Sequence, residues 1–144
     1  MTDTLLVGID GSEHGRRASE FAASRAKSGN ARLVVAYVIE WSPYTFNTPE
    51  ENEVRHQRRE EEIARAKSQV LDPLVATLTK DGLQVEGLVR HGNPAHVLIE
   101  VAKETGACQI FIGRRGLSKI QALLFGSVAG SLVQISAVPV TVVP

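Results

Sequence analysis

Five short apolar runs alternate with four segments whose apolar residues recur at helical spacing. The first run, Leu5 to Ile9, stops at Asp10-Gly11-Ser12. Ala18, Phe21, Ala22 and Ala26 then fall on one face of a helix that Gly29-Asn30 closes. The second run, Leu33 to Ile39, is nearly all apolar, as expected of a strand buried on both faces. Residues from Glu40 to Thr48 read as a loop that is unusual in holding Trp41, Pro43, Tyr44 and Phe46. A long charged helix follows, with Ile63, Val70, Leu71, Leu74, Val75 and Leu78 at helical spacing. Pro73 should kink or divide it, and Asp81-Gly82 ends it.

The third run, Leu83 to Val89, alternates more and is expected nearer a sheet edge. Asn93 is a candidate N-cap with Pro94 at the first helical position. The next helix should bury Val97, Leu98, Val101 and Ala102 and stop at Gly106. The fourth strand is Gln109 to Ile112, preceded by Cys108, which reads as an inert packed thiol. A helix over Ser127 to Gln134 and a strand over Val138 to Val143 complete the chain. Such alternation predicts one Rossmann-like α/β domain over residues 1–144: an open, twisted, parallel five-stranded sheet of order 3-2-1-4-5 with helices on both faces.

Gly113-Arg114-Arg115-Gly116, nine residues, then Gly126-Ser127 form a G-x2-G-x9-G-S pattern between a buried strand and a helix start. Glycines there let main chain approach a ligand closely, and a helix start offers free N–H groups and a positive dipole end. A phosphate chain suits such a place. In open α/β sheets the ligand crevice lies at the carboxyl ends of the strands where strand order reverses. With order 3-2-1-4-5 that is between the first and fourth strands, so Asp10 and Gly113 face each other, and Gly8 and Val38 wall the crevice.

Asp10 has a functional reading, as acceptor for ribose hydroxyls or ligand of a divalent cation, and a structural one, as turn former or N-cap of the first helix. Ser127 offers a hydroxyl to a phosphate, a cap to its own helix, or both. Arg114, Arg115 and Lys119 bring positive charge to the loop, and Ser118 a hydroxyl. Loop arginines are more often solvated than bound, so main-chain contacts are expected ahead of side-chain ones. His91 reads as a turn histidine on the surface. His14, His56 and His96 lack metal-ligand spacing to one another, and Glu60-Glu61-Glu62 as a solvated helix face.

Composition narrows the classes. Sixteen basic residues balance 16 acidic ones, which argues against a nucleic-acid surface. A single cysteine excludes an internal disulfide framework and a multi-cysteine metal site. No apolar stretch approaches the roughly 20 residues of a membrane span, and no signal peptide is read at the start, so a cytoplasmic protein is expected.

The glycine pattern resembles the nucleotide-binding signature of the universal stress protein family. Leu5 to Ser12 is similar to that family's opening strand and turn, and Tyr37-Val38-Ile39 to its second strand end. Gly92-Asn93-Pro94 with Ile99 and Ala102 resembles its third helix entry, and Pro139 to Val143 its closing strand. Cys108 stands where the family commonly has Asp. The resemblance implies an ATP-binding domain that dimerises. By it, Gly8, Asp10 and Val38 surround adenosine, the Val38 backbone reading adenine and Asp10 meeting ribose. Residues 113–119, including Gly113, Arg114, Arg115, Gly116, Ser118 and Lys119, would enclose phosphates together with Gly126, Ser127, Val128 and Ala129. The closing strand would pair with its copy in a second subunit.

The expected function is a regulatory protein in which ATP, with Mg²⁺, biases conformation, assembly or a partner. The client that responds, another protein or a transporter, and any step from dimer to tetramer are left open by the residues. The competing class is an enzyme that hydrolyses ATP or transfers its phosphate or adenylyl group. It lacks a P-loop, and Asp10 is the only carboxylate placed near the phosphates. A flavin dinucleotide or AMP ligand is a further alternative, opposed in the dinucleotide case by the absence of G-x-G-x-x-G.

Overall fold

The computed structural model describes residues 2–40, 49–116 and 126–144. The aromatic segment from Trp41 to Phe46, and Ser118 and Lys119, lie outside them. In chain order the elements are β1 (Thr4–Ile9), α1 (Glu13–Ser28), β2 (Arg32–Glu40), α2 (Pro49–Ala66), a π-helical turn (Lys67–Leu71) and α3 (Asp72–Thr79). Then come β3 (Val85–Gly92), α4 (Pro94–Thr105), β4 (Gln109–Gly113), α5 (Ser127–Ile135) and β5 (Val140–Val143). The five strands pair in parallel in the order β3-β2-β1-β4-β5, as the strand–helix alternation predicts.

Strand alternation splits the core into two layers. Leu5, Val7, Ile9, Leu33, Val35 and Phe111 face α1 and the Leu71–Leu78 stretch. Leu6, Val34, Ala36, Val38, Ile110 and Ile112 face α4 and α5. The buried face of α1 is almost all alanine (Ala18, Ala22, Ala23, Ala26), so this helix lies close on the sheet. Phe21, expected on that face, is instead 39% exposed. Its ring is tilted 55° to that of Phe111 with the centroids 5.9 Å apart, and the Arg25 guanidinium lies 5.3 Å over it.

Pro73 divides the charged helix as expected, and the mechanism is visible. Proline supplies no N–H and crowds the carbonyl four residues back. Just ahead of it the ladder slips to a wider turn, in which the Asp72 N–H donates to the Lys67 carbonyl. The slip carries Leu71 inward until it is 2% exposed, over Gly87 of β3. A Cβ at Gly87 would lie 3.0 Å from Val75 and 3.1 Å from Leu71. The edge position of β3 agrees with its alternating pattern, though pairing starts at Val85 and Leu83 is buried just before it.

Helix ends follow their cap chemistry. Asn93 Oδ1 accepts the His96 N–H at 3.2 Å with Pro94 next in line, and Gly106 closes α4 at φ 71°. At the end of α1 the left-handed residue is Asn30, φ 52°, rather than Gly29.

Three further expectations are corrected. Cys108 is exposed, because Ala107 takes the buried place and strand alternation starts at Gln109. β5 starts at Val140, not Val138: Ser136 folds its hydroxyl onto Val138, and Pro139 has no N–H to give a ladder. His91 belongs to β3, and its side chain is 13% exposed with Nε2 3.6 Å from Glu62 of α2, so it is no surface ornament.

Leu71→Ala should cost about 2–5 kcal/mol, since it opens a cavity over Gly87 that backbone cannot fill. Urea unfolding with an unchanged m-value checks this.

Candidate functional site

β1 and β4 are neighbours, with Gly8 opposite Ile112, and their continuations leave in opposite directions. Between their carboxyl ends lies a crevice of about 230 Å³. Gly8, Asp10, Val38, Gly113, Arg115, Gly116, Gly126, Ser127, Val128 and Ala129 all line it. Of the expected site residues that are described, only Arg114 is not on its wall, and its side chain is exposed.

Arg114 acts through its main chain. Its N–H donates to the Val143 carbonyl at 2.7 Å, and its carbonyl accepts the Gly126 N–H at 2.7 Å. One residue thereby ties the end of β5 and the start of α5 to the turn after β4. The glycines permit that closure. A Cβ on Gly126 would lie 3.2 Å from the Arg115 Cα, and one on Gly116 would lie 2.4 Å from Asp10 Oδ2. At Gly113 the space is taken by α1: a Cβ would stand 2.8 Å from the His14 carbonyl carbon. Gly8 is closed in the same sense by Leu98 of α4, 2.6 Å away. These four glycines therefore serve close packing between parts of the chain.

Asp10 is a turn former and not the N-cap. Its Oδ1 accepts the Ser12 N–H at 2.9 Å, while Ser12 caps α1 by accepting the Gly15 N–H at 3.2 Å. Gly11 carries the reversal at φ 86°. At α5 the contrast is clear. Its N-cap is Gly126, which has no side chain, so Ser127 is the first helical residue and does not cap. The first helical bond joins the Gly130 N–H to the Gly126 carbonyl at 3.0 Å. The N–H groups of Ser127, Val128 and Ala129 come before it, at the positive end of the helix and on the wall of the crevice.

Several lining residues escape sequence reasoning. Ile39, Pro94 and Leu98 make the wall beside Val38 apolar. Glu40, at the end of β2, is a second carboxylate on the crevice wall. Tyr37 lines the crevice and donates its hydroxyl to the Asp10 carbonyl at 3.3 Å. Burial, and then the Asp10 charge, raise its phenol above the ordinary tyrosine value, so it remains a donor at neutral pH. The signal for these residues was position at a strand's carboxyl end, not residue type. Among the described residues, no three His, Cys, Asp or Glu side chains gather as a metal cluster, and no helix is long and apolar enough to cross a membrane.

A doubly wound parallel sheet with a glycine-closed crevice at its switch point places the molecule in the Rossmann-like α/β class. A model of the Universal stress protein family matches residues 1–144, and the chain belongs to that family. It is 30% identical to the universal stress protein YxiE of Bacillus subtilis, over 99% of both chains. In structure it resembles UspA of Lactobacillus plantarum, with a TM-score of 0.87, 24% identity and coverage of 99% and 97% of the two chains. A universal stress protein solved in complex with cAMP aligns with a TM-score of 0.64 at 26% identity, covering 99% of this chain and 96% of that one.

Gly113→Ala should destabilise the fold by about 1–3 kcal/mol, because the methyl group meets α1 backbone that has nowhere to move. Gly116→Ala meets only a carboxylate and should leave the melting temperature nearly unchanged; thermal melts of the two variants side by side check the contrast.

Proposed function

We propose that this chain is a cytoplasmic, ATP-binding regulatory protein whose nucleotide state biases its conformation, its assembly or a partner. The observation that carries the proposal is the α5 N-terminus, without a side-chain cap, opening on the crevice opposite Asp10. Anionic ligands are stabilised at such a terminus by both the N–H groups and the helix dipole. The relative solved with cAMP supports an adenine nucleotide as the occupant.

In this proposal the Val38 backbone reads adenine, and Ile39, Pro94 and Leu98 supply apolar contact to the base. Asp10 accepts from ribose. Gly113, Arg115 and Gly116, with Ser118 and Lys119 from outside the described residues, meet the phosphates from one side, while Arg114 holds their turn through its main chain. Gly126, Ser127, Val128 and Ala129 meet them from the other. Mg²⁺ would be held by the phosphates and water, which requires no cluster of protein carboxylates. Glu40 on the same crevice favours a second proposal, slow hydrolysis of ATP or transfer of its phosphate or adenylyl group. Repeated turnover that Asp10→Ala abolishes would support the enzyme.

A homodimer through β5 is part of the proposal. Among the described residues β5 pairs with β4 alone, and Val133 (53%) and Ile135 (48%) of α5 are exposed large apolar residues. The Ile110 and Arg114 N–H groups donate to Pro139 and Val143, so odd-numbered residues of β5 face β4. The N–H groups of Val140 and Val142 consequently point to the outer edge.

Calorimetry is expected to show one ATP per chain, with Asp10→Ala binding about 10- to 100-fold more weakly, the worth of a hydrogen bond to a charged group. A wild-type protein that yields no adenine nucleotide on denaturation and takes up no ATP would remove the proposal. Val142→Pro deletes an outward N–H while sparing the β4 ladder, so it should shift the sedimenting species towards monomer. An unchanged mass would reassign the interface.

A further inference from the structure

Tyr37 carries a role that residue type alone does not suggest. Leu33, Val35 and Tyr37 share the α1 side of β2; the first two are fully buried, while Tyr37 reaches the crevice at the strand's carboxyl end. There it lies under the turn after β1. A Cβ on Gly11 would meet the Tyr37 hydroxyl oxygen at 3.2 Å and a ring carbon at 3.8 Å. The turn thus rests on the phenol, and the hydroxyl donates to the Asp10 carbonyl at 3.3 Å. Asp10 is held from the other side by the Ser12 N–H on Oδ1 at 2.9 Å, and its Oδ2 lies next to Gly116.

We propose that Tyr37 is a positioning residue for sugar recognition: its hydroxyl braces the Asp10 turn so that the carboxylate meets the hydroxyl groups of a ribonucleotide. The inference rests on the nucleotide-binding proposal above and adds to it a residue that sets selectivity. A carboxylate distinguishes ribose from deoxyribose only when its position is held, because a mobile one relaxes onto whichever donor remains. Asp10 sits one residue before a glycine with positive φ, where the chain has little intrinsic stiffness. The brace comes from β2, a central strand whose register with β1 sets Tyr37 opposite Ile9. The competing account makes Tyr37 a plug for the α1-side core. That role needs the ring and is indifferent to the hydroxyl.

Tyr37→Phe separates the two accounts, since it keeps the ring and removes the hydroxyl. The full chain is titrated calorimetrically with ATP and with 2′-deoxyadenosine triphosphate. Wild type is expected to prefer the ribonucleotide by about tenfold, the value of one hydrogen bond to a carboxylate. Asp10→Ala should erase the preference. Tyr37→Phe should lower it to about threefold through weaker binding of ATP, with affinity for the deoxynucleotide and the melting temperature nearly unchanged. A preference left at the wild-type value, or equal losses for both nucleotides, overturns the positioning role while the nucleotide site stands. A wild type that binds both nucleotides equally overturns it too, because Asp10 then reads no sugar. A wild type that binds neither brings down the nucleotide site itself, and this role with it.

Discussion

The structure depends on one close approach of main chain to main chain, the first turn of α1 against the carboxyl end of β4. The missing Cβ of Gly113 allows it, at a spacing where any side chain would stand 2.8 Å from the His14 backbone. Packed interiors transmit displacements of that size instead of absorbing them. The contact joins the Asp10–Ser12 turn, which launches α1, to the glycine turn that follows β4. Arg114 extends the joint to β5 and α5 through its N–H and carbonyl. Four segments from distant parts of the chain are thereby joined about one crevice through main-chain contacts.

A crevice built in this way asks little of side-chain identity. Its helix N-terminus and its turns are main-chain features. Among the described residues polar side chains enter at few points: Asp10, Ser12, Glu40, Arg115 and Ser127 line the crevice, and Tyr37 stands beneath the Asp10 turn. The side-chain chemistry of the crevice is therefore concentrated in a handful of positions around a main-chain frame.

Two helices show how differently the same sheet is covered. α1 lies close, on alanines, and brings its N-terminus into the crevice wall through Ser12 and Gly15. α2 stands largely in solvent until the π-helical turn before Pro73 draws Leu71 onto β3. The His91–Glu62 pair links its exposed part to the strand next to the crevice-lining end of β2. Charges on such a helix are mostly solvated, and their pairs add little stability.

Strand and helix identity, sheet order and the place of the crevice were legible in the sequence, because each follows from a local period or from a rule about parallel sheets. Val34, Ala36 and Val38 alternate with Leu33, Val35 and Tyr37, and that alternation alone assigns them to opposite layers. The Asn93-Pro94 and Gly106 ends of α4 were legible for the same reason, since cap chemistry acts within a few residues. What lies across the sheet was not. The glycine spacing marked the loop, but only the packed structure shows that Gly113 yields to His14, Gly8 to Leu98 and Gly116 to Asp10. Cys108 looked buried because it adjoins a buried strand, and its exposure depends on where pairing with β1 begins. Tyr37 became a brace only once β1 and β2 set it beneath Gly11. Short-range periodicity and turn propensity are written residue by residue. Which atoms occupy the space beside a glycine or above a phenol is a relation between segments far apart in the chain, and it exists only once they have packed.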